Sequence, residues 1–243
     1  MRKVEQKYPI TEVIFVLDRS GSMEKVTNDT IGGFNSMIKK QKQEGVDALV
    51  TTVLFDDEMS IIHDRIKIKD VPLLTNREYY ARGTTALLDA VGSTITHISN
   101  IHKYARKEDV PSKTLFVITT DGYENASSKY TLTKVKSMIE EQKDNGWEFL
   151  FLGANIDAVE TASKMGIAKE YAANVINDKE GIATTYRVVS NAVLDCLISP
   201  RGAKLSKKWK EELENDLKRG GGSPKTNNKD EEEEVYIPEF LRR

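Results

Sequence analysis

Cysteine is almost absent. Cys196 is the single one in 243 residues, which excludes a disulfide framework and a thiolate metal cluster within the chain. Histidine is nearly as scarce. His63, His97 and His102 are neither clustered nor near any other chemistry-bearing motif, so imidazole metal sites and Ser-His or Cys-His catalysis have no foundation here. Charge of one sign is lacking too. The formal net charge of −2 gives no overall basic field, and nucleic acid is not expected as a partner. No apolar run approaches the length of a membrane span, and Met1-Arg2-Lys3-Val4-Glu5 lacks a signal peptide's apolar core. These absences favour a soluble cytoplasmic protein without membrane insertion. There is no internal repeat.

What is present is a chain of 39% apolar and 30% charged residues, long enough for a substantial core. Apolar, β-branched runs alternate with amphipathic segments. Strands are expected at residues 12–18, 48–55, 59–63, 114–120 and 148–152, with a last short one within 168–175. The 59–63 strand is expected to be antiparallel and at an edge. Helices are expected between them, for example where Leu87, Val91, Ile95, Ile98 and Ile101 share one face. Such alternation specifies an α/β fold. Its sheet should be mainly parallel, with one antiparallel edge strand and helices on both faces.

The most informative stretch is Asp18-Arg19-Ser20-Gly21-Ser22, directly after the apolar run Val13-Ile14-Phe15-Val16-Leu17. A carboxylate and two hydroxyls alternate along a turn. Hard oxygen donors of this kind suit Mg²⁺, with Mn²⁺ or Ca²⁺ as alternatives, and not Zn²⁺ or copper. Asp121 ends another apolar strand. In open parallel sheets ligands bind at the carboxyl ends of strands, near the reversal in strand order, which is where both aspartates fall. Nucleotide-enzyme signatures are missing. Gly21 stands alone where a dinucleotide fold needs G-x-G-x-x-G, and no G-x-x-x-x-G-K-[ST] occurs. An aspartyl-phosphate phosphatase normally places a carboxylate two residues after its nucleophile, and Ser20 holds that position. No enzyme activity is expected.

The pattern Asp18/Ser20/Ser22 resembles the metal-ion-dependent adhesion site of von Willebrand factor A domains. Gly83-Thr84-Thr85-Ala86-Leu87 resembles that family's Gly-Gly-Thr-x-Leu segment, with Thr84 where a second glycine is common. Phe116-Val117-Ile118-Thr119-Thr120-Asp121-Gly122 resembles its metal-linked strand. The resemblance runs over residues 10–198 and implies a Rossmann-like A-domain fold. It implies that Ser20, Ser22 and Thr85 bind the ion directly, with Thr84 a weaker candidate, while Asp18 and Asp121 act largely through water. It also implies an open coordination position for a carboxylate from a protein partner. Arg19, Met23, Tyr123, Glu124 and Asn125 are expected to rim the metal and to choose that partner. Asp56 and Asp57 are expected in a solvated turn, Asp89 in hydrogen bonds at a loop–helix junction, and Cys196 in the core.

Outside that domain, residues 1–9 read as a lead-in and 199–219 as a charged C-terminal helix. Residues 220–234 read as a Gly-rich, polar and then acidic linker, and 235–243 as a docking peptide. Ile237, Pro238, Phe240, Leu241 and Arg242 resemble the C-terminal docking peptide of the bacterial division protein FtsZ. That likeness implies an alternative role as an adaptor on FtsZ-tail-binding division proteins, with the metal site structural. The acidic run or Glu239 is also a candidate to supply the metal's missing carboxylate.

Overall fold

The computed structural model describes residues 10–200 and 203–219. The docking-peptide positions Ile237, Pro238, Phe240, Leu241 and Arg242, together with the lead-in and linker, lie outside the described residues.

Among the described residues six strands form one sheet: β1 (Thr11–Asp18), β2 (Ala48–Phe55), β3 (Met59–Lys67), β4 (Lys113–Thr120), β5 (Trp147–Gly153) and β6 (Ala172–Asn174). Their order is β3-β2-β1-β4-β5-β6. β3 runs antiparallel at one edge and every other pairing is parallel. This is the expected α/β architecture. β3 extends to Lys67, beyond the expected 63, because its register with β2 shifts near Thr52 and Arg65 takes a positive φ of 51°. Those irregularities break the alternation that marks a strand in sequence.

Period-2 geometry divides β1 between two cores. Val13, Phe15 and Leu17 face one side, Ile14 and Val16 the other, and all five are buried. The first side is covered by α1 (Thr27–Gln43), α5 (Lys179–Ile198) and α6 (Lys208–Arg219). The second is covered by α2 (Leu87–Tyr104), α3 (Leu132–Asp144) and the short α4 (Ala158–Lys164). No described helix is long and apolar enough to cross a membrane. The scarce residues lie where packing or pairing satisfies them. Cys196 is buried in the first core, His97 meets Asp64, and His102 meets Glu12 at the carboxylate's Oε2.

α6 is not the separate appendage that its charge suggests. Leu205, Trp209 and Leu213 are buried in the same cluster as the first-face strand residues, and Glu148 of β5 accepts the backbone N–H of Leu205 at 2.9 Å. Three apolar residues spaced every four positions, Leu205 just before α6 and Trp209 and Leu213 on it, therefore complete the domain. Leu213→Ala is expected to destabilise the whole domain by about 2–5 kcal/mol, as for other buried leucines. Urea unfolding followed by intrinsic fluorescence measures this, and an unchanged midpoint would make α6 energetically independent.

Candidate metal centre

β1 is flanked by β2 on one side and β4 on the other, so the strand order reverses between β1 and β4. The carboxyl ends of those two strands carry Asp18 and Thr120-Asp121. Asp18 is 1% exposed. Its Oδ1 accepts the backbone N–H of Ser20 at 2.7 Å, and its Oδ2 accepts the Thr120 hydroxyl at 2.6 Å. The Tyr79 hydroxyl donates to the Asp18 carbonyl at 2.6 Å. The aspartate is thus fixed at both carboxylate oxygens and at its backbone.

After Asp18 the chain turns into a short 3₁₀ segment, Gly21–Val26. Gly21 N–H donates to Gly83 carbonyl at 3.2 Å, which ties this turn to the loop bearing Thr85. Gly83 has φ +66°, and a Cβ there would stand 1.8 Å from Asp57 Oδ1, so a side chain is excluded on both counts. Ser20 Oγ lies 3.0 Å from Ser22 Oγ, and the Ser22 hydroxyl donates to Asp121 Oδ1 in a short hydrogen bond. Asn125 clamps Thr85: its Oδ1 accepts the Thr85 N–H at 2.9 Å, and its own N–H donates to the Thr85 carbonyl at 3.0 Å. A Cβ built on Gly122 would be 3.4 Å from Thr85 Oγ1 and 3.9 Å from Ser22 Oγ. Three chain segments therefore converge with all five expected donors: Asp18, Ser20, Ser22, Thr85 and Asp121.

Electrostatically the centre is short of positive charge. Burial pushes the Asp18 carboxyl above the ordinary range, despite the bonds from Thr120 and Ser20, and the neighbouring Asp121 adds to the rise. Burial also raises Asp121, against the bonds from Ser22 and Asn177. Among the described residues neither forms an ion pair. No group of three or more His, Cys, Asp or Glu is assembled among the described residues either, so the donor set is two carboxylates and three hydroxyls. Uncompensated carboxylates beside preplaced hydroxyl oxygens fit a hard divalent cation.

The rim differs from expectation. Arg19 is 4% exposed and points inward, donating to Asp56 Oδ2 at 2.7 Å, to Ser60 Oγ at 3.2 Å and to the Glu78 carbonyl at 3.3 Å. Met23 is buried in the first core. Neither can rim the site, because a buried carboxylate and the α1 packing claim them. Glu124 is spent on internal bonds, accepting from the N–H groups of Leu88 at the start of α2 and of Ala126 and Ser127 in its own loop. Tyr123, 62% exposed, does stand on the rim. Thr84 is exposed beside buried Thr85.

Asp56 is likewise not in a solvated turn. It is fully buried, bound by Arg19 and also by Arg82 Nε at 2.8 Å. Burial alone would raise its carboxyl; the Arg82 bond, the Glu58 N–H and Arg19 together hold it below the ordinary range. Asp89 accepts three backbone N–H groups, from Ser128, Lys129 and Tyr130, which is the junction role expected of it.

Sequence reasoning missed three supports. Thr120 holds Asp18, Asn125 holds Thr85, and Asn177 Nδ2 donates to Asp121 Oδ2 at 2.7 Å. Thr120 adjoins Asp121 and was discoverable as a strand-end hydroxyl. Asn125 and Asn177 carry no spacing signal.

No protein-family model and no curated protein matches the chain. Solved structures do match in fold. The von Willebrand domain of the type V pili tip protein Mfa5 from Porphyromonas gingivalis is 10% identical, with a TM-score of 0.58. The match covers 80% of this chain and 98% of that one. Proximal thread matrix protein 1 from the mussel byssus, solved with a zinc-occupied MIDAS motif, is 14% identical with a TM-score of 0.53, covering 79% and 48%. A von Willebrand factor type A structure from Catenulispora acidiphila is 15% identical with a TM-score of 0.51, covering 76% and 42%. The chain therefore spans about half the length of the latter two. At these identities the likeness establishes the von Willebrand A fold.

Two outcomes follow from the site. Asp56→Ala strands the buried Arg19 charge and is expected to cost about 3–5 kcal/mol in chemical denaturation; a loss below about 1 kcal/mol would reduce the pair to a surface contact. Asp18 and Asp121 have folded pKa values raised above their unfolded ones, so their contribution favours the metal-free fold below about pH 4 and is lost as pH rises through the raised values. A cation bound to the ionised pair opposes that loss. The increase in Tm produced by Mg²⁺ should therefore be small near pH 4 and grow toward neutrality. A Mg²⁺ increment independent of pH would contradict this.

Proposed function

We propose that the chain is a non-enzymatic protein-binding module that recognises an acidic side chain through a divalent cation, Mg²⁺ by preference. Ser20, Ser22 and Thr85 would hold the ion directly. Asp18 and Asp121 would orient those hydroxyls and balance its charge. The cation supplies an electrophilic position for an anionic oxygen, since three of its five protein donors are neutral. The observation that carries the reading is the contrast between two kinds of buried carboxylate. Asp56 is matched by two guanidinium groups, whereas Asp18 and Asp121 are met only by neutral donors. Tyr123, exposed beside Asp121, is the described rim residue best placed to touch a partner. A partner of this kind presents an Asp or Glu at a protruding point. A cytoplasmic setting remains part of the proposal.

Calorimetric titration of the chelator-treated full chain tests it. Wild type should bind Mg²⁺, and saturation at about 100 times Kd should add roughly 2.7 kcal/mol of stability, or about 5–11 °C in Tm. Asp18→Ala and Ser20→Ala should both lose binding while circular dichroism reports the same fold. Unchanged titration in both variants would remove the metal site. Capture of an acidic protein partner should require Mg²⁺ and fail with Asp18→Ala; capture indifferent to chelator would remove the bridging role.

A further inference from the structure

A groove of about 390 Å³ runs along the outer face of the domain between α1 and α5. Gly32, Ser36 and Ala183 keep its walls low, and Met37 and Tyr186 form apolar floor. Two adjacent glycines inside α1 cost the helix about 1 kcal/mol each relative to alanine. Gly33 is explained by packing, since a Cβ there would stand 2.3 Å from the Tyr186 ring. Gly32 is not: a Cβ there would meet nothing within 4 Å. The domain's own packing does not need that space.

Three observations indicate what does. The first is where the described chain leaves the domain. Arg219, the last described residue, bonds Glu180 Oε2 at 2.6 Å and lies 3.5 Å from Asp178, which flank Lys179 at one end of the groove. The second is charge. Lys40, Lys179 and Arg187 line the groove against a single acid, Asp29. Arg187's contact with Glu212 is an exposed ion pair of little strength. The chain that follows Arg219 carries acids throughout 230–234. The third is length and chemistry. A chain of roughly 15 residues, the number from 220 to 234, spans about 20 Å at random-coil dimensions, enough to pass along α5 from Lys179 beyond Arg187 at 1.5 Å per residue. They are followed by Val235, Tyr236, Ile237, Pro238, Phe240 and Leu241, an apolar set matched to an apolar floor.

We propose that residues 235–243 occupy the α1–α5 groove of their own chain. The acidic run lies against Lys179 and Arg187, while Phe240 and Leu241 cover the space over Gly32. The groove is then a built-in receptor for the segment, and any other partner of that segment competes with it. This does not depend on the metal centre.

Site-specific photocrosslinking in the full chain tests the proposal. A benzophenone amino acid replaces Phe240, and the protein is irradiated at micromolar concentration. Intramolecular crosslinks to α1 and α5 peptides are expected. Gly32→Leu, which fills open space, should lower their yield at least tenfold, and so should Ala183→Leu on the opposite wall. Circular dichroism and thermal unfolding show whether each variant is folded, and having one variant on each wall keeps a folding failure in either from deciding the matter. Crosslinks to other surfaces would overturn the proposal. So would crosslinks between copies that vanish on dilution, or a yield indifferent to both wall variants.

Discussion

Burial of carboxylates without matching cations is the constraint on which the described site depends. Asp18 sits at the end of the strand that both neighbours pair with, 1% exposed, and its oxygens receive only an amide and a hydroxyl. Asp121 receives a hydroxyl and a side-chain amide. Neutral donors lower the cost of a buried charge but do not cancel it, and burial accordingly raises both carboxyls. At the end of the neighbouring strand β2, Asp56 meets the same burial with Arg19 and Arg82. One fold thus carries a closed solution and an open one side by side, and the open one is where an external cation has a physical reason to bind.

The closed pair also shapes the open site. Arg19 lies between two candidate ligands in sequence, yet its side chain crosses to Asp56 and its backbone carbonyl accepts the Arg82 N–H at 2.9 Å. That holds the loop carrying Gly83 and Thr85 against the turn carrying Ser20 and Ser22. On the other side Asn125 fixes Thr85, and Glu124 caps the start of α2 at the Leu88 N–H. The hydroxyl donors are therefore positioned before any ligand arrives, so ordering them on binding costs little. The α1–α5 face of the domain is built differently. There the α1–α5 packing closes at Gly33 and Tyr186 but stays open at Gly32, beside the point where the described chain departs.

Much of this was legible in the sequence. Strand order along the chain, the antiparallel edge and the candidates Asp18, Ser20, Ser22 and Asp121 follow from local signals: apolar runs that end in a carboxylate, hydroxyls at alternate positions, and a glycine at the turn; Thr85 follows only from the family resemblance. These work because a strand that is buried on both faces writes its burial into consecutive residues. Of the expected helix at 199–219 the fold keeps Lys208–Arg219, and its burial was not legible, because charge on the exposed face of α6 masks buried Trp209 and Leu213, with Leu205 just ahead of the helix.

The sequence by itself determined the α/β class and the oxygen chemistry of the Asp18-Ser20-Ser22 turn, since each depends on residues a few positions apart, while Thr85 entered only through the family resemblance. Tertiary structure alone decided which charges face inward. Arg19 finds Asp56 37 positions away, Thr120 finds Asp18 across 102, and Asn177 finds Asp121 across 56. No periodicity records such meetings. A charged side chain next to a candidate ligand reads as solvent-facing until the fold places a buried counter-charge behind it, and that placement turned the expected rim at Arg19 into a support of the candidate site.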